Sequence, residues 1–191
     1  MNNRKYPNEH ELVILQLAYE RFYSYFDEFM ADDFWELSSE IRLLKIKACF
    51  DIYNELLKYE PIKKYTEYLK EHRPPQEGFI AYEYFVFVRN ILTHFPFFLE
   101  WNDIYITENL SGWNSPQYSS INKFIKQNID KESVKYRVWI AKSKKMVYMD
   151  INFPKKSNDK IFLRDLISEK EGLLFCMVLM KQVIDSQIEK V

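Results

Sequence analysis

The stretch from Gly78 to Pro96, GFIAYEYFVFVRNILTHFP, constrains the fold of this chain more than any other. Its first half is apolar on almost every face, and its second half brings Arg89, Asn90 and His94 together before a proline. A helix that is apolar all round belongs in the interior of a protein. A guanidinium, an amide and an imidazole are costly there unless they are paired or used. The stretch therefore predicts a central helix with a polar end.

The composition favours a mainly α-helical protein. The chain has 191 residues, which suits a single domain over residues 1–191, and 47% of them are hydrophobic. It contains three glycines, too few for Gly-rich phosphate loops or for the many tight turns of a β-sandwich. Low glycine content combined with long apolar periodicity predicts a bundle of antiparallel helices.

The cysteines and the apolar runs predict a soluble, cytoplasmic protein with no membrane partner. Cys49 and Cys176 both lie in apolar helical contexts and are far apart in the sequence, which does not suggest a disulfide framework or a metal site. The apolar runs are too short to span a bilayer, and the first residues lack the apolar core of a signal peptide.

Three- and four-residue spacing of apolar side chains predicts six helices along the chain. The first begins at Asn8, and Asp32 and Asp33 are expected to cap the second. Ser168, with Glu171 three residues later, predicts a capping box for the last helix. The predicted ranges are 8–30, 33–58, 62–71, 78–94, 116–128 and 168–188.

Between the last two helices the periodicity changes from helical to alternating. Two runs rich in β-branched and aromatic residues flank Lys142-Ser143-Lys144-Lys145. This pattern predicts a β-hairpin at residues 135–153 with a basic tip. Because an isolated hairpin is marginally stable, it must pack on the helical body or on a partner.

Positive charge is concentrated around this hairpin. Residues 123–164 contain 12 Lys and Arg against four Asp and Glu, a net charge of +8 in a chain whose total is −1. The segment interleaves basic and aromatic side chains, which is typical of surfaces that track a nucleic-acid backbone. The candidate RNA contacts are Arg137, Lys142, Lys144 and Lys145. A solvated lysine-rich surface, with the aromatic residues in the core or an interface, is the alternative.

Few catalytic motifs are available to this chain. The sequence has no HExxH, GxSxG, Walker or GxGxxG motif, and two of its three histidines, His10 and His72, lie at polar helix ends without a second ligand at helical spacing. We therefore expect no metal and no cofactor. The remaining candidate is the hexad from Arg89 to His94, RNILTH.

On a helix, Asn90 and His94 are neighbours at i and i+4, so the amide is expected to hydrogen-bond the imidazole and orient it. Arg89 and His94 are separated by about 140°, too wide for one tight contact but suitable for flanking a phosphodiester. The helix end favours a charged imidazole and burial a neutral one, so the sequence leaves the sign of its pKa shift open. Alternatively, Arg89 pairs with a carboxylate of a neighbouring helix and His94 caps carbonyl groups.

The hexad resembles the mark of the HEPN superfamily, an arginine followed after four to six residues by a histidine, often with asparagine directly after the arginine. Arg4 and His10 also have this spacing, but Pro7 lies between them in a polar terminal segment. The resemblance implies a bundle of four to five core helices. It also implies a homodimer in which two motif helices face each other across one RNA-cleaving cleft.

This resemblance implies a metal-independent endoribonuclease that cleaves RNA by attack of the ribose 2′-OH, with Arg89, Asn90 and His94 as catalytic residues. Such proteins act in toxin–antitoxin modules and phage defence, so an antitoxin or another regulatory protein is a possible partner. Two alternatives stay open. The first is a non-catalytic HEPN-like module that binds RNA, a nucleotide or a protein, and the second is a helical protein with no nucleic-acid role.

Overall fold

The computed structural model describes residues 7–72, 80–107, 116–131, 134–140, 144–153, 155 and 160–188. In this part of the chain the helices are α1 (Glu9–Phe29), α2 (Ser39–Leu56), α3 (Glu60–His72), α4 (Phe85–His94), α5 (Pro116–Asn128), α6 (Leu163–Leu166) and α7 (Lys170–Ile188). The strands are β1 (Tyr105–Ile106), β2 (Val134–Ile140), β3 (Lys145–Ile151) and β4 (Ile161–Phe162). The predicted mainly α-helical fold, with a small hairpin before the last helix, is confirmed.

Helix α1 begins after Asn8, close to the predicted start, and Asn8 and Glu11 form a reciprocal cap that was not predicted. Its side-chain oxygen accepts hydrogen bonds from the backbone N–H groups of His10, at 3.0 Å, and Glu11, at 2.9 Å. The Glu11 carboxylate in turn accepts from the backbone N–H of Asn8 at 2.9 Å. N–H groups that have no partner inside the helix are thereby satisfied. The helix then buries Phe22 and Phe29 in the core.

The predicted second helix at 33–58 is in fact two elements. Its two aspartates open a 3-10 helix, Asp32–Glu36, and α2 starts only at Ser39. The guanidinium of Arg42 donates to the carbonyl oxygens of Trp35, at 3.3 Å, and Leu37. In a continuous helix, these two carbonyl oxygens would accept hydrogen bonds from backbone N–H groups. Here the Arg42 side chain supplies the hydrogen bonds instead. The sequence prediction missed this break because it depends on a side chain from the next turn.

Helix α4 lies between α2 and α5, which confirms the prediction of a central helix. Phe85 presents its ring in edge-on contacts to Phe50 and Tyr53 of α2, with ring centroids 5.8 and 5.1 Å apart. On the other side, Phe87 stacks on Phe124 of α5 at 4.1 Å. Such aromatic pairs add to the stabilisation by burial. The side chains of Phe85, Phe87 and Val88 are therefore enclosed, and α4 ends at the polar residues before the proline.

A π-helical segment, Ile80–Tyr84, precedes α4 and ends at a tyrosine whose hydroxyl is buried. In the described part of the chain, this oxygen is the one buried side-chain polar atom without a hydrogen-bond partner. We expect Tyr84→Phe to raise the free energy of unfolding by about 1 kcal/mol, since the unpaired hydroxyl is desolvated without compensation. Thermal unfolding followed by circular dichroism should show a Tm about 2–4 °C higher.

The control for this substitution is Tyr25→Phe. The Tyr25 hydroxyl accepts a hydrogen bond from Arg21 at 2.9 Å, so its removal should not stabilise the protein. A lower Tm for Tyr84→Phe than for the wild type would show that its hydroxyl is satisfied.

Helix α7 packs across the bundle and is buried along most of its length. Met177 places its sulfur 3.4 Å from the Cys49 sulfur of α2, and both Cys49 and Cys176 are free and buried. Just before α7 begins, Glu169 accepts two hydrogen bonds from Arg42, at 2.8 and 3.1 Å. A forked pair of this kind fixes orientation as well as distance, and so ties α2 to the start of α7.

The first turn of α7 contains the predicted capping residues and a glycine that cannot be enlarged. The Gly172 N–H donates to the Ser168 hydroxyl at 3.2 Å. A β-carbon on Gly172 would lie 2.1 Å from Cγ1 of Ile167, a side chain that is 1% exposed. The close packing of this turn therefore requires glycine.

We expect Gly172→Ala to lower the free energy of unfolding by about 1–3 kcal/mol, because the overpacking outweighs the higher helix propensity of alanine. The midpoint of urea unfolding should fall accordingly. Adding Ile167→Ala should cost less in the Gly172→Ala background than in the wild type, because it removes the clashing atoms. Purely additive losses would contradict this explanation.

Strands β2 and β3 pair antiparallel from Val134 with Ile151 to Ile140 with Lys145, confirming the hairpin predicted at 135–153. The hairpin packs on α7. Lys142, at its predicted tip, lies outside the described residues. The antiparallel pair of β1 and β4 was not predicted, because two-residue strands are too short to show alternation.

One continuous core contains buried apolar side chains from every helix of the described part of the chain. No helix there is both long enough and apolar enough to cross a bilayer. Representative core residues, from α1 to α7, are Phe22, Ile46, Ile62, Ile91, Ile121, Leu163 and Met177.

Candidate functional site

The polar end of α4 is held in place by a carboxylate from α2. Asp51 Oδ1 accepts hydrogen bonds from Arg89 Nε at 2.9 Å and from the Thr93 hydroxyl at 3.2 Å. Arg89 and Thr93 are one helical turn apart, so a single carboxylate oxygen can reach both. The arginine is thereby anchored through Nε, and its terminal nitrogens are directed away from α2.

A second cation completes this network. Lys47 lies one turn before Asp51 on α2, and its amine donates to Asp51 Oδ2 at 2.8 Å. Burial raises the pKa of Asp51, but hydrogen bonds from Lys47 and Arg89, together with their charges, outweigh that effect and lower the pKa overall. The carboxylate is therefore ionised near neutral pH. With two cations and one anion, these three side chains leave an excess positive charge.

Arg89 and His94 are closer than expected from their angular separation. Nη1 of Arg89 lies 3.5 Å from Nε2 of His94, a long contact, whereas the sequence predicted only that the two are too widely separated for one tight contact. Helical side chains lean toward the N-terminus, which brings the imidazole back toward the preceding turn. The arginine is long enough to meet it there while its Nε stays on Asp51.

Asn90 has a different partner from the one predicted. Its side-chain oxygen accepts a hydrogen bond from Arg89 Nη1 at 3.2 Å, and among the described residues no hydrogen bond joins it to His94. The side chain is 7% exposed, which places it beneath the guanidinium rather than beside open solvent. Asn90 therefore orients the arginine, and the arginine contacts the imidazole.

The pKa of His94 is lowered. Burial lowers it first, the positive charge of Arg89 lowers it further, and Asp51 opposes these effects. The site therefore presents a neutral imidazole nitrogen next to a fixed guanidinium, which is a suitable arrangement for accepting a proton near an anion.

The site lies at the surface of the chain. The Arg89 side chain is 23% exposed and Asp51 31% exposed. Shortly after His94 in the sequence, Phe97 and Leu99 are 64% and 63% exposed. Large apolar side chains at this exposure are often found in interaction surfaces.

The structure places the other predicted site residues elsewhere. Arg137, Lys144 and Lys145 are exposed on the hairpin, which packs on α7, whereas the site is built from α2 and α4. The predicted catalytic and RNA-binding residues are therefore on different elements. His72, excluded as a metal ligand from sequence, stacks on Tyr68 with ring centroids 4.3 Å apart.

Sequence reasoning allowed Arg89 to pair with a carboxylate of a neighbouring helix, which the Asp51 contact confirms, but it did not identify Asp51, Lys47 or Thr93 as members of the site. The i,i+4 spacing of Lys47 and Asp51 was a visible signal of an ion pair on α2, but nothing in it identifies Arg89 as a third partner. In the described part of the chain, no group of three or more His, Cys, Asp or Glu side chains is placed to hold a metal ion.

Comparisons with protein-family models, with curated proteins and with solved structures gave no significant match.

Proposed function

We propose that this chain is a metal-independent endoribonuclease of the HEPN type, with Arg89 and His94 as its catalytic residues. The observation that carries the proposal is the 3.5 Å contact between an anchored guanidinium and a neutral imidazole at the surface. The RNILTH resemblance supports it independently of the geometry. Asn90 and Asp51 act as positioning residues, because both hold the guanidinium.

The residue types account for each step of the reaction. The neutral His94 imidazole accepts the proton of the ribose 2′-OH through its unprotonated nitrogen, and the oxygen attacks the adjacent phosphorus. The bond from phosphorus to the 5′-oxygen breaks, and that oxygen takes a proton from an imidazolium. Arg89 stabilises the charge that develops on the phosphate oxygens. The products are a 2′,3′-cyclic phosphate and a free 5′-OH.

A dimer explains how one type of imidazole performs both proton transfers. A single ring cannot be neutral and protonated at once, whereas two copies of His94 in one cleft can divide the roles of base and acid. The exposed Phe97 and Leu99 provide apolar surface next to the site for such an interface. The cleft is then composite, and a monomer is inactive.

The direct test is incubation of the purified chain with RNA in excess EDTA. We expect cleavage to continue, leaving 3′ ends that resist ligation until a phosphatase that acts on cyclic phosphates is added. Absence of cleavage by the wild type, or cleavage only with added divalent metal, would refute the proposal.

The dimer makes a separate prediction about Leu99→Glu. A charge in an apolar interface should lower the mass measured by light scattering toward that of a monomer and reduce cleavage by at least about tenfold, since burying an unpaired carboxylate is costly. The control is Val13→Glu, at a 60% exposed apolar position on α1. If Val13→Glu and Leu99→Glu changed the mass and the cleavage rate equally, the interface would not lie at Leu99.

The biological setting we propose is a cytoplasmic toxin or phage-defence component. Its support is the resemblance, together with a basic hairpin suited to an anionic substrate. Expression of the wild type should then arrest growth, whereas the His94→Ala variant should be tolerated. A non-catalytic RNA-, nucleotide- or protein-binding module would instead leave growth unaffected in both cases.

One observation favours a second candidate, a purely structural network. Arg89 already has a carboxylate partner, as it would in a helical protein without a nucleic-acid role. Because the pair is partly exposed, Arg89→Ala should lower the free energy of unfolding by about 1 kcal/mol or less under either candidate. The two candidates therefore differ in RNA cleavage, which a purely structural network would not show in the wild type.

A further inference from the structure

The outward face of the hairpin combines aromatic and basic side chains. Arg137 pairs in register with Tyr148, and Trp139 pairs with Met146. Paired residues of an antiparallel ladder lie on one face, and so do residues two apart on a strand. All four therefore share a face, on which Trp139 is 54% and Tyr148 52% exposed.

The two aromatic rings are spaced for successive bases. Trp139 and Tyr148 are diagonal neighbours across the strands, a relation that separates residues by about 7–8 Å. Two stacking surfaces at this distance can each take one base of an extended single strand. In a duplex, by contrast, the base faces are stacked on each other and unavailable to side chains.

The charges around these rings suit a phosphate backbone. Arg137 lies on the same face and Lys144 is exposed at the described side of the tip, whereas Lys145 pairs with Ile140 and therefore lies on the opposite face. Asp150, two residues from Tyr148, is exposed on the same face as the rings, so Arg137 and Lys144 leave a small excess of positive charge in its described part. A hydrophobic protein partner would leave these cations unpaired, whereas a nucleic-acid strand supplies phosphates for them.

We propose that the outward face of β2 and β3 is a stacking platform for single-stranded RNA, with Trp139 and Tyr148 holding bases and Arg137 and Lys144 holding phosphates. The choice of RNA rests on the proposed endoribonuclease function, whereas the preference for unpaired strands rests on the hairpin alone. The platform thereby selects loops and unpaired segments as substrates.

The test measures binding by fluorescence anisotropy, separately from cleavage. The probes are labelled oligouridine and oligodeoxythymidine of about 12 nucleotides, a length within the usual site size. Oligodeoxythymidine lacks the 2′-OH and cannot be cut by the proposed reaction. A duplex RNA of the same length is the third probe, and the full chain is used throughout in EDTA.

We expect Trp139→Ala and Tyr148→Ala each to weaken binding of both single strands by about 5- to 100-fold, and binding of the duplex by much less. The control is Tyr68→Ala, at a 51% exposed position on α3, which should have no effect. The double variant Arg137→Ala with Lys144→Ala should weaken binding of all probes and flatten the salt dependence of binding.

Several results would overturn the platform. One is equal loss for the aromatic variants and Tyr68→Ala, and another is an equal loss of duplex and single-strand binding. A third is a change of oligomeric mass on Trp139→Ala, which would assign the face to a protein interface. Specific binding of oligodeoxythymidine without any RNA cleavage would support the platform while refuting the endoribonuclease.

Discussion

Replacing His94 with alanine is expected to lower the rate of RNA cleavage by about a hundred- to ten-thousandfold, the usual contribution of a positioned acid or base. The proposed reaction needs an imidazole at both proton transfers, so the homodimeric variant loses base and acid together. Because the His94 side chain is partly exposed at a helix end, the Tm should change little. Single-turnover cleavage of a labelled RNA, with thermal unfolding measured in parallel, checks both expectations.

The chain provides two matched controls for this variant. His10 and His72 are exposed and lie on α1 and α3, away from the α4 hexad, so His10→Ala and His72→Ala should cleave RNA at the wild-type rate. If His94→Ala also cleaved at that rate, the imidazole would not be catalytic. A contaminating ribonuclease would show the same activity in all three variants.

Because the pKa of His94 is lowered, the free energy of unfolding should depend on pH in a defined way. The folded state binds a proton on this ring less readily than the unfolded state, whose imidazole has a pKa of 6.5. The free energy of unfolding should therefore rise with pH through a window just below 6.5, and the contribution disappears in His94→Ala. Urea unfolding at a series of pH values would show this. The opposite slope would mean that the ring is held protonated.

The central helix was predictable from sequence because burial imposes a pattern that needs no partner to recognise. The first half of the stretch, residues 79–88, is apolar on almost every face, and a segment of that kind can be accommodated only between other elements. The hairpin was predictable for a similar reason, since alternation of side chains is a property of each strand alone. Both were recovered with boundaries close to those observed.

The features that the sequence prediction missed depend on side-chain contacts or on pairing between segments far apart in the chain. The break before α2 requires Arg42 to reach back to the carbonyls of Trp35 and Leu37. The two-residue ladder of β1 and β4 joins segments more than fifty residues apart. One of these interactions is made by a side chain, and the other joins residues far apart in the sequence. Local backbone propensity predicts neither of them.

In the site, too, a local sequence pattern was recognised and the contacts between helices were not. The hexad drew attention to Arg89, Asn90 and His94 because three polar groups at the end of an apolar helix need an explanation. Their mutual geometry was predicted incorrectly, since an angular argument ignores the reach and lean of the side chains. Asp51 fixes the position of the Arg89 side chain, and this contact is seen only once α2 is packed against α4.

The contribution of Asp51 can be isolated, because its proposed role depends entirely on Arg89. Arg89→Ala should lower cleavage about 10²- to 10³-fold, the usual cost of removing one donor to a transition-state anion. We expect Asp51→Asn to lower cleavage about 10- to 100-fold by releasing the guanidinium from its anchored position. Glu55→Gln, which removes a carboxylate paired with Lys58 on the same helix, is the control and should be neutral.

The double variant distinguishes positioning from a separate contribution. If Asp51 acts only through Arg89, adding Asp51→Asn to Arg89→Ala should cost almost nothing more, and the cycle will be strongly non-additive. The His94 resonance provides a second readout. Asp51→Asn should lower the pKa of His94 further, because Asp51 opposes the other effects, and Arg89→Ala should raise it toward 6.5. Additive losses, or shifts of the opposite sign, would show that the carboxylate acts on the imidazole or the fold directly.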